Sequence, residues 1–228
     1  MSTPKTALII GASRGLGLGL VERLLADGWQ VTATVRDPHK ADALKALGPV
    51  NIEQLDMDDQ QAVIALSQQL KTQTFDLLFV NAGVKGPENQ TPGHATLAEV
   101  GQLFFTNAVA PINLAQRFVP LIRKDSGVLA FMSSVLGSVT MPDAPELALY
   151  KASKAALNSM TNTFVTQLGE QKLTVLSLHP GWVKTDMGGE GADLDVQTSV
   201  RGLIAQVNAY AGKGGHHFVN YKGETIPW

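Results

Sequence analysis

Residues 7–17 are Ala7-Leu8-Ile9-Ile10-Gly11-Ala12-Ser13-Arg14-Gly15-Leu16-Gly17. The four apolar residues predict a buried strand, and the glycines allow a tight turn into a helix that begins near residue 15. Such a turn lets backbone N–H groups and a helix N-terminus approach a pyrophosphate. The spacing is Gly-x3-Gly-x-Gly, and no Lys-Ser/Thr pair follows it, as the phosphate-binding loop of nucleoside triphosphatases would require. The stretch therefore predicts a dinucleotide-binding turn, although a glycine-rich strand-to-helix turn can also be only a turn.

Short apolar runs alternate with longer amphipathic segments along the rest of the chain. The predicted strands are 7–10, 31–35, 51–55, 75–80, 128–132, 174–178 and a last short one at 217–220. The predicted helices are 15–29, 38–48, 58–72, 96–124 and 146–169. Most of the strands lack polar alternation, as expected when helices cover both faces of a sheet. The pattern predicts an α/β fold in which residues 1–228 form a single domain around a doubly wound parallel sheet.

Composition excludes several classes of protein. The chain has 228 residues, of which 44% are hydrophobic and 17% charged, with a formal charge of -2 and no cysteine. We expect no nucleic-acid partner, because there is no basic cluster, and no disulfide or cysteine-type metal site. No apolar run approaches the roughly 18 to 20 residues of a membrane span. The first residues lack the apolar region of a signal peptide, so we expect no membrane association and a cytoplasmic location.

Polar residues follow the predicted strands at the edge where such sheets bind ligands. The fourth strand is followed by Asn81-Ala82-Gly83, the fifth by Ser133-Ser134, and the sixth by Pro180-Gly181-Trp182-Val183-Lys184-Thr185. Tyr150 and Lys154 lie four residues apart in a predicted helix and so share one face. A cation beside a phenol lowers its pKa, which makes the pair a candidate acid/base unit. Taken alone, the pair is more typical of a solvated helix surface.

Together, in this order and at these strand ends, the motifs resemble the short-chain dehydrogenase/reductase family over essentially the whole chain. The resemblance implies a Rossmann fold and hydride transfer with a nicotinamide cofactor. A narrower similarity, to the C-signal and Sniffer-type carbonyl reductases, rests on 131–138, 179–189 and 218–223. It implies an NADP(H)-dependent oxidoreductase that reduces a ketone or aldehyde, a small-molecule carbonyl substrate, to an alcohol.

The resemblance also implies a catalytic set. Tyr150 would donate a proton to the carbonyl oxygen, and Lys154 would lower the tyrosine pKa and hold the nicotinamide ribose. Ser134 would hydrogen-bond the substrate oxygen; Ser133 is its rival, one residue earlier and on the opposite face of an extended segment. Asn107 would hold a water that links the lysine to solvent, although an asparagine near Pro111 can simply satisfy backbone carbonyls. The long interval between Ser134 and Tyr150 suggests inserted residues around 142–146.

The cofactor contacts implied by the resemblance extend over every strand end. They are Gly11, Ser13, Arg14, Gly15, Leu16, Gly17, Arg36, Asp56, Met57, Asn81, Ala82, Gly83, Tyr150, Lys154, Pro180, Gly181, Val183 and Thr185. An enzyme specific for NAD has an acidic residue at the end of the second strand, where this chain has Val35 followed by Arg36. Two guanidiniums, of Arg14 and Arg36, suit a 2′-phosphate and favour NADP(H). Asp37 argues for NAD unless it caps the next helix before Pro38.

The remaining expectations concern partners and alternatives. No histidine pair has metal-binding helical spacing, so we expect no metal site. Residues 187–199 are glycine-rich at their start and predict a short, mobile substrate loop. The family resemblance implies a homodimer or tetramer. The alternative function is a dinucleotide-binding signalling or regulatory protein of the C-signal type in which turnover is secondary. An epimerase or dehydratase would need a longer C-terminal region.

Overall fold

Seven parallel strands form one sheet in the order β3-β2-β1-β4-β5-β6-β7. The computed structural model describes residues 3–141, 144–169 and 172–228. The strands are β1 (Thr6–Ile10), β2 (Gln30–Val35), β3 (Val50–Gln54), β4 (Leu77–Val80), β5 (Val128–Met132), β6 (Thr174–His179) and β7 (Gly215–Asn220). The direction of winding reverses between β1 and β4, which places a crevice beyond their carboxyl ends. The predicted doubly wound fold is confirmed.

Helices cover both faces of this sheet. They are α1 (Gly15–Ala26), α2 (Asp42–Lys45), α3 (Gln60–Gln69), α4 (Leu97–Phe104), α5 (Ala110–Phe118), α6 (Ala148–Leu168) and α7 (Val196–Tyr210). One buried apolar layer joins α1, α2 and α7 to the sheet, and the other joins α3, α5 and α6. None of the helices in the described part of the chain is both long and apolar enough to cross a bilayer.

The central strands are apolar on both sides because each side meets a helix layer. In β1, Ala7 and Ile9 face the layer of α1 and α7, while Leu8 and Ile10 face the layer of α3, α5 and α6. All four are at most 1% exposed. This double burial explains why the runs lack the polar alternation of a half-exposed strand.

Three helical regions differ from the prediction. The stretch 38–48 is a 3-10 turn (Pro38–Lys40) followed by the short α2. The stretch 96–124 is not one helix: α4 passes through a π-helical turn (Phe105–Val109) into α5, and a 3-10 turn (Val119–Leu121) ends the rod. The sequence analysis also missed α7, so the last residues of the proposed loop 187–199 form its first turn. Asp195 caps α7, since its side chain accepts a hydrogen bond from the backbone N–H of Thr198 (2.6 Å).

The large apolar side chains of the long helices mostly face the sheet. Phe118, Leu157 and Phe164 are at most 3% exposed in the layer beneath α5 and α6. Phe105 and Met160 are partly buried against the same layer.

Candidate active site

The glycine turn packs so closely against β4 that side chains are excluded. Gly11 has φ +83°, and a Cβ there would lie 2.8 Å from that of Ala82. A Cβ on Gly17 would collide with the carbonyl oxygen of Gly11. Asn81 holds the turn from the next strand, since its Nδ2 donates to the Gly11 carbonyl oxygen at 2.7 Å. The tight turn predicted from the sequence is therefore present, and glycine is required at both positions.

Helix α1 begins directly after this turn with its N-terminal N–H groups facing the crevice. Its N-cap residue, Arg14, makes no side-chain cap within the described structure, and its first turn contains no acidic residue. The first N–H groups of a helix need acceptors, and the helix dipole favours an anion there. A cradle that a Cβ would fill, next to a helix end with no side-chain cap, fits a pyrophosphate.

The crevice is a cavity of about 700 Å³ that runs from the glycine turn to α6. Fourteen of the residues predicted to contact cofactor lie on its wall: Gly11, Ser13, Arg14, Gly15, Leu16, Arg36, Asp56, Met57, Asn81, Ala82, Gly83, Tyr150, Lys154 and Thr185. Four others do not line it: Gly17, Pro180, Gly181 and Val183. Gly17 packs against the carbonyl oxygen of Gly11, and Val183 is only 4% exposed. These two residues support the cavity wall without forming its surface.

Tyr150 lines the cavity at its α6 end, and the side chain of Ser134 lies close enough to lower the pKa of the Tyr150 hydroxyl. The Ser134 hydroxyl accepts a hydrogen bond from the backbone N–H of Leu136 at 3.1 Å. Ser133 points to the other face of the strand, where its hydroxyl donates to Oδ1 of Asn158 at 2.8 Å. The extended backbone thus separates the two serines, and it is Ser134 that lies beside the tyrosine.

Burial controls the ionisation of the candidate acid/base pair. It raises the pKa of Tyr150 to about 12, against a smaller lowering by the hydrogen bond to Ser134. It lowers the pKa of Lys154 to about 8. The pKa of Tyr150 is therefore raised overall, where a neighbouring lysine alone would lower it, because desolvation is the larger effect. The Lys154 Nζ lies 5.7 Å from the centre of the Tyr150 ring and donates to the carbonyl oxygen of Met132 at 2.9 Å.

Asn107 occupies the middle of the π-helical turn, a distortion that often marks functional positions. Its amide binds both polar backbone groups of Val84: Oδ1 accepts from the N–H at 2.9 Å, and Nδ2 donates to the carbonyl at 2.8 Å. Nδ2 also donates to the Ser153 hydroxyl at 3.0 Å. A Cβ on Gly83 would lie 3.2 Å from Asn107 Oδ1 and 3.5 Å from Lys154 Nζ. The asparagine and the lysine therefore flank the same glycine.

The end of β2 offers a cation and no carboxylate to the cavity. Val35 and Arg36 line the wall, and Asp37 does not. The Asp37 carboxylate accepts a bond from the N–H of His39 at 3.0 Å and caps the short turn that begins at Pro38. The alternative that Asp37 serves an NAD ribose is thus opposed by the capping geometry.

Arg14 has a partner that the sequence analysis missed. Its Nη1 lies 2.7 Å from Oδ2 of Asp186, and both side chains are 73% exposed. The pair joins the glycine turn to the segment after β6 across the mouth of the cavity. Asp58 was missed as well: its Oδ2 accepts from Gln102 at 2.7 Å and from Thr106 at 2.5 Å on the wall.

The segment after β6 is folded back on itself. The indole N–H of Trp182 donates to the Gly188 carbonyl at 2.8 Å, and the N–H of Gly188 donates to the Thr185 hydroxyl at 3.1 Å. Lys184 and Leu194 are joined by a backbone hydrogen bond of 2.8 Å. Trp182 nevertheless remains 55% exposed, and Met187, which lines the cavity, is 45% exposed.

A glycine turn at β1, a tyrosine and a lysine on the wall of the same cavity, a serine beside the tyrosine and an asparagine near the lysine are features of one enzyme class. The family model for short chain dehydrogenases matches residues 5–193. The chain belongs to the short-chain dehydrogenase/reductase family, and the predicted membership is confirmed.

Relatives within the family include proteins of the predicted subgroup. The C-signal protein of Myxococcus xanthus is 32% identical over 72% of this chain and 99% of its own length. A carbonyl reductase from Pseudomonas aeruginosa, solved in complex with NADP, has a TM-score of 0.92 at 38% identity and covers 99% of this chain and all of its own. The carbonyl reductase Sniffer of D. melanogaster has a TM-score of 0.91 at 32% identity, with coverage of 99% and 100%.

Proposed function

We propose that the protein is an NADP(H)-dependent oxidoreductase that reduces a ketone or aldehyde to an alcohol, with Tyr150 as the proton donor. The observation that carries the proposal is the position of Tyr150, with Ser134 close beside it, on the wall of a cavity whose other end is formed by the glycine turn. This arrangement supports a carbonyl substrate between the serine and the tyrosine. It also supports a dinucleotide along the rest of the cavity.

The wall suits a dinucleotide that carries an extra phosphate. The glycine turn and the start of α1 would take the pyrophosphate, Arg36 and Ser13 the 2′-phosphate, and Asp56 and Met57 the adenosine end. The relative from P. aeruginosa was solved with NADP. When bound, NADPH supplies the hydride that the reduction needs.

The chain itself supplies the proton and the electrostatics. With a pKa of about 12, Tyr150 carries its proton at neutral pH and can donate it as negative charge develops on the substrate oxygen. The Ser134 hydroxyl is a second, fixed donor to the same oxygen. Lys154, with a pKa of about 8, is mostly cationic at neutral pH and lies close enough to stabilise the tyrosinate that remains.

The proposal is tested by following NADPH absorbance with a panel of ketones and aldehydes. Tyr150→Phe keeps the ring and removes the hydroxyl, so turnover should fall by at least roughly 10²-fold while NADPH binding is nearly unchanged. Tyr210→Phe is the matched control, since Tyr210 lies at the end of α7, outside the cavity. Near wild-type turnover in Tyr150→Phe would refute the assigned proton donor.

A dinucleotide-binding signalling protein is the second candidate, favoured by the similarity to the C-signal protein. This second function predicts tight NADPH binding without measurable turnover of any carbonyl compound in the panel. The same panel, combined with a binding titration of NADPH, separates the two functions.

A further inference from the structure

The connection between β4 and α4 buries one residue, and that residue is a polar one. Within residues 81–96, all of which the structure describes, Gln90 alone is buried, with 4% of its surface exposed. A buried amide without partners would destabilise the fold, so its hydrogen bonds show what the site requires.

Gln90 uses both its protons and its oxygen. Nε2 donates to the carbonyl oxygens of Lys85 and Pro87, at 2.9 Å each, and Oε1 accepts the backbone N–H of Tyr150 at 2.8 Å. Two acceptors on one side and one donor on the other fix the orientation of the amide. The side chain thus ties the loop after Gly83 to the first turn of α6.

That first turn needs an outside partner. The N-cap residue of α6 is Leu147, which makes no side-chain cap in the part of the chain that the structure describes. Tyr150 is the third residue of the helix, and the N–H at this position normally bonds to the N-cap side chain. Gln90 supplies the missing acceptor from 60 positions away.

The carbonyl of Tyr150 is also linked to this loop, through Ser153 and Asn107. The Ser153 hydroxyl donates to it at 2.7 Å, and Ser153 in turn accepts from Asn107, which binds both backbone groups of Val84. Hydrogen bonds therefore pass from the loop through Gln90 to the N–H of Tyr150, and from its carbonyl back to the loop. This closed ring fixes the main chain of the residue whose hydroxyl lies near Ser134.

We propose that Gln90 is a positioning residue for Tyr150: its amide acts as a remote N-cap that sets the place of the phenol relative to Ser134. The inference rests on the proposed function, in which Tyr150 donates the proton. Gln90 itself does not line the cavity and contacts no reacting group. Its removal should therefore lower kcat and leave substrate KM and NADPH affinity nearly unchanged.

Gln90→Met tests this, because it keeps the length of the side chain and removes all three hydrogen bonds. We expect kcat to fall about 10- to 100-fold, as misplacement of a reacting group by about 1 Å does, with KM and the NADPH Kd within about twofold. Thr161→Val is the matched control: it alters a fully buried polar side chain about three turns further along α6, bonded to the Leu157 carbonyl. It should lower stability without lowering kcat.

Gln90→Glu provides a rescue that a merely structural role does not predict. A neutral glutamic acid can accept from Tyr150 and donate to one loop carbonyl, whereas its carboxylate would face two carbonyl oxygens. The kcat of this variant, relative to wild type at the same pH, should rise as the pH is lowered. A constant ratio would count against the proposal.

Hydrogen exchange gives a readout that needs neither cofactor nor substrate. The Tyr150 N–H should exchange slowly in the wild type, and at least about tenfold faster in Gln90→Met, because its acceptor is gone. Amides near residues 158–165 should not change. If wild-type protein reduces no carbonyl compound, the proposed function fails whatever the exchange shows. If wild type is active and Gln90→Met has unchanged kcat, or if exchange at Tyr150 is unchanged, the positioning role is overturned.

Discussion

His216 makes the stability of the protein depend on pH. On β7, its Nε2 lies 2.9 Å from the Ser177 hydroxyl and its Nδ1 2.6 Å from Oδ1 of Asn162, so a neutral ring satisfies both partners. The ring also packs on Trp228, with the ring centres 4.6 Å apart. Burial, with a smaller contribution from His217, lowers the pKa of His216 from its ordinary value of 6.5 to about 4.

The sign and size of the effect follow from linkage. The unfolded chain binds a proton near pH 6.5 and the folded chain only near pH 4, so the unfolded state gains protons first. The stability that His216 contributes as a neutral ring is complete above pH 6.5 and is lost as the pH falls to about 4. The two pKa values differ enough to change the free energy of unfolding by about 3 kcal/mol. Since the residue is not fully buried, we expect about 2 to 3 kcal/mol.

Urea unfolding of wild type and His216→Gln at pH 6.5 and pH 4, the two ends of the window, measures this contribution. The variant should be less stable at pH 6.5 but should lose about 2 to 3 kcal/mol less on acidification. His179, whose pKa burial lowers to about 4, titrates in both proteins and cancels in the comparison. His94→Gln, at an exposed position, should lose as much as wild type. Equal losses in all three proteins would refute the reasoning.

Three further outcomes concern the proposed catalysis. Arg36→Gln should weaken NADPH binding much more than NADH binding in titrations, because only NADPH carries the 2′-phosphate. Arg117→Gln on α5 is the control. Equal weakening of both cofactors would show that Arg36 does not bind the 2′-phosphate. Lys154→Ala should lower both turnover and NADPH affinity, since a buried cation beside the tyrosine is lost; unchanged kinetics would contradict this. Residues 187–195 should gain protection from hydrogen exchange on addition of NADPH, and more than α3 gains, whereas equal exchange in both states would indicate a rigid wall.

The sheet could be predicted because its strands are buried on both faces. Runs such as Leu77–Val80 contain no polar residue, and a strand covered by helices needs none. The helix α7 was missed because Gly202 interrupts its pattern and lowers helix propensity. The structure gives the reason for that glycine: a Cβ there would collide with the carbonyl oxygen of Tyr221. That approach depends on the folded C-terminus and leaves no local sign in the sequence.

The residues of the candidate site likewise fall into those that could be predicted from the sequence and those that could not. Residues at strand ends could be predicted, because the topology of a parallel sheet brings those ends together. Gln90 and Asp186 could not, since their partners lie 60 and 172 positions away. The net rise in the pKa of Tyr150 could not be predicted, because spacing reveals a neighbouring charge but not the depth of burial.

The π-helical turn between α4 and α5 sets how the two helices are rotated relative to each other. A turn of this kind contains one residue more than an α-helical turn, and each residue rotates the helix by about 100°. Deleting a residue from Phe105–Val109 would restore regular backbone hydrogen bonds, yet would turn α5 by about 100° relative to α4. Leu114 and Phe118 would then leave the buried layer, or Asn107 would leave Val84. The extra residue therefore fixes the rotation of α5 relative to α4. Only with it do the apolar side chains of α5 face the buried layer while the Asn107 amide reaches Val84.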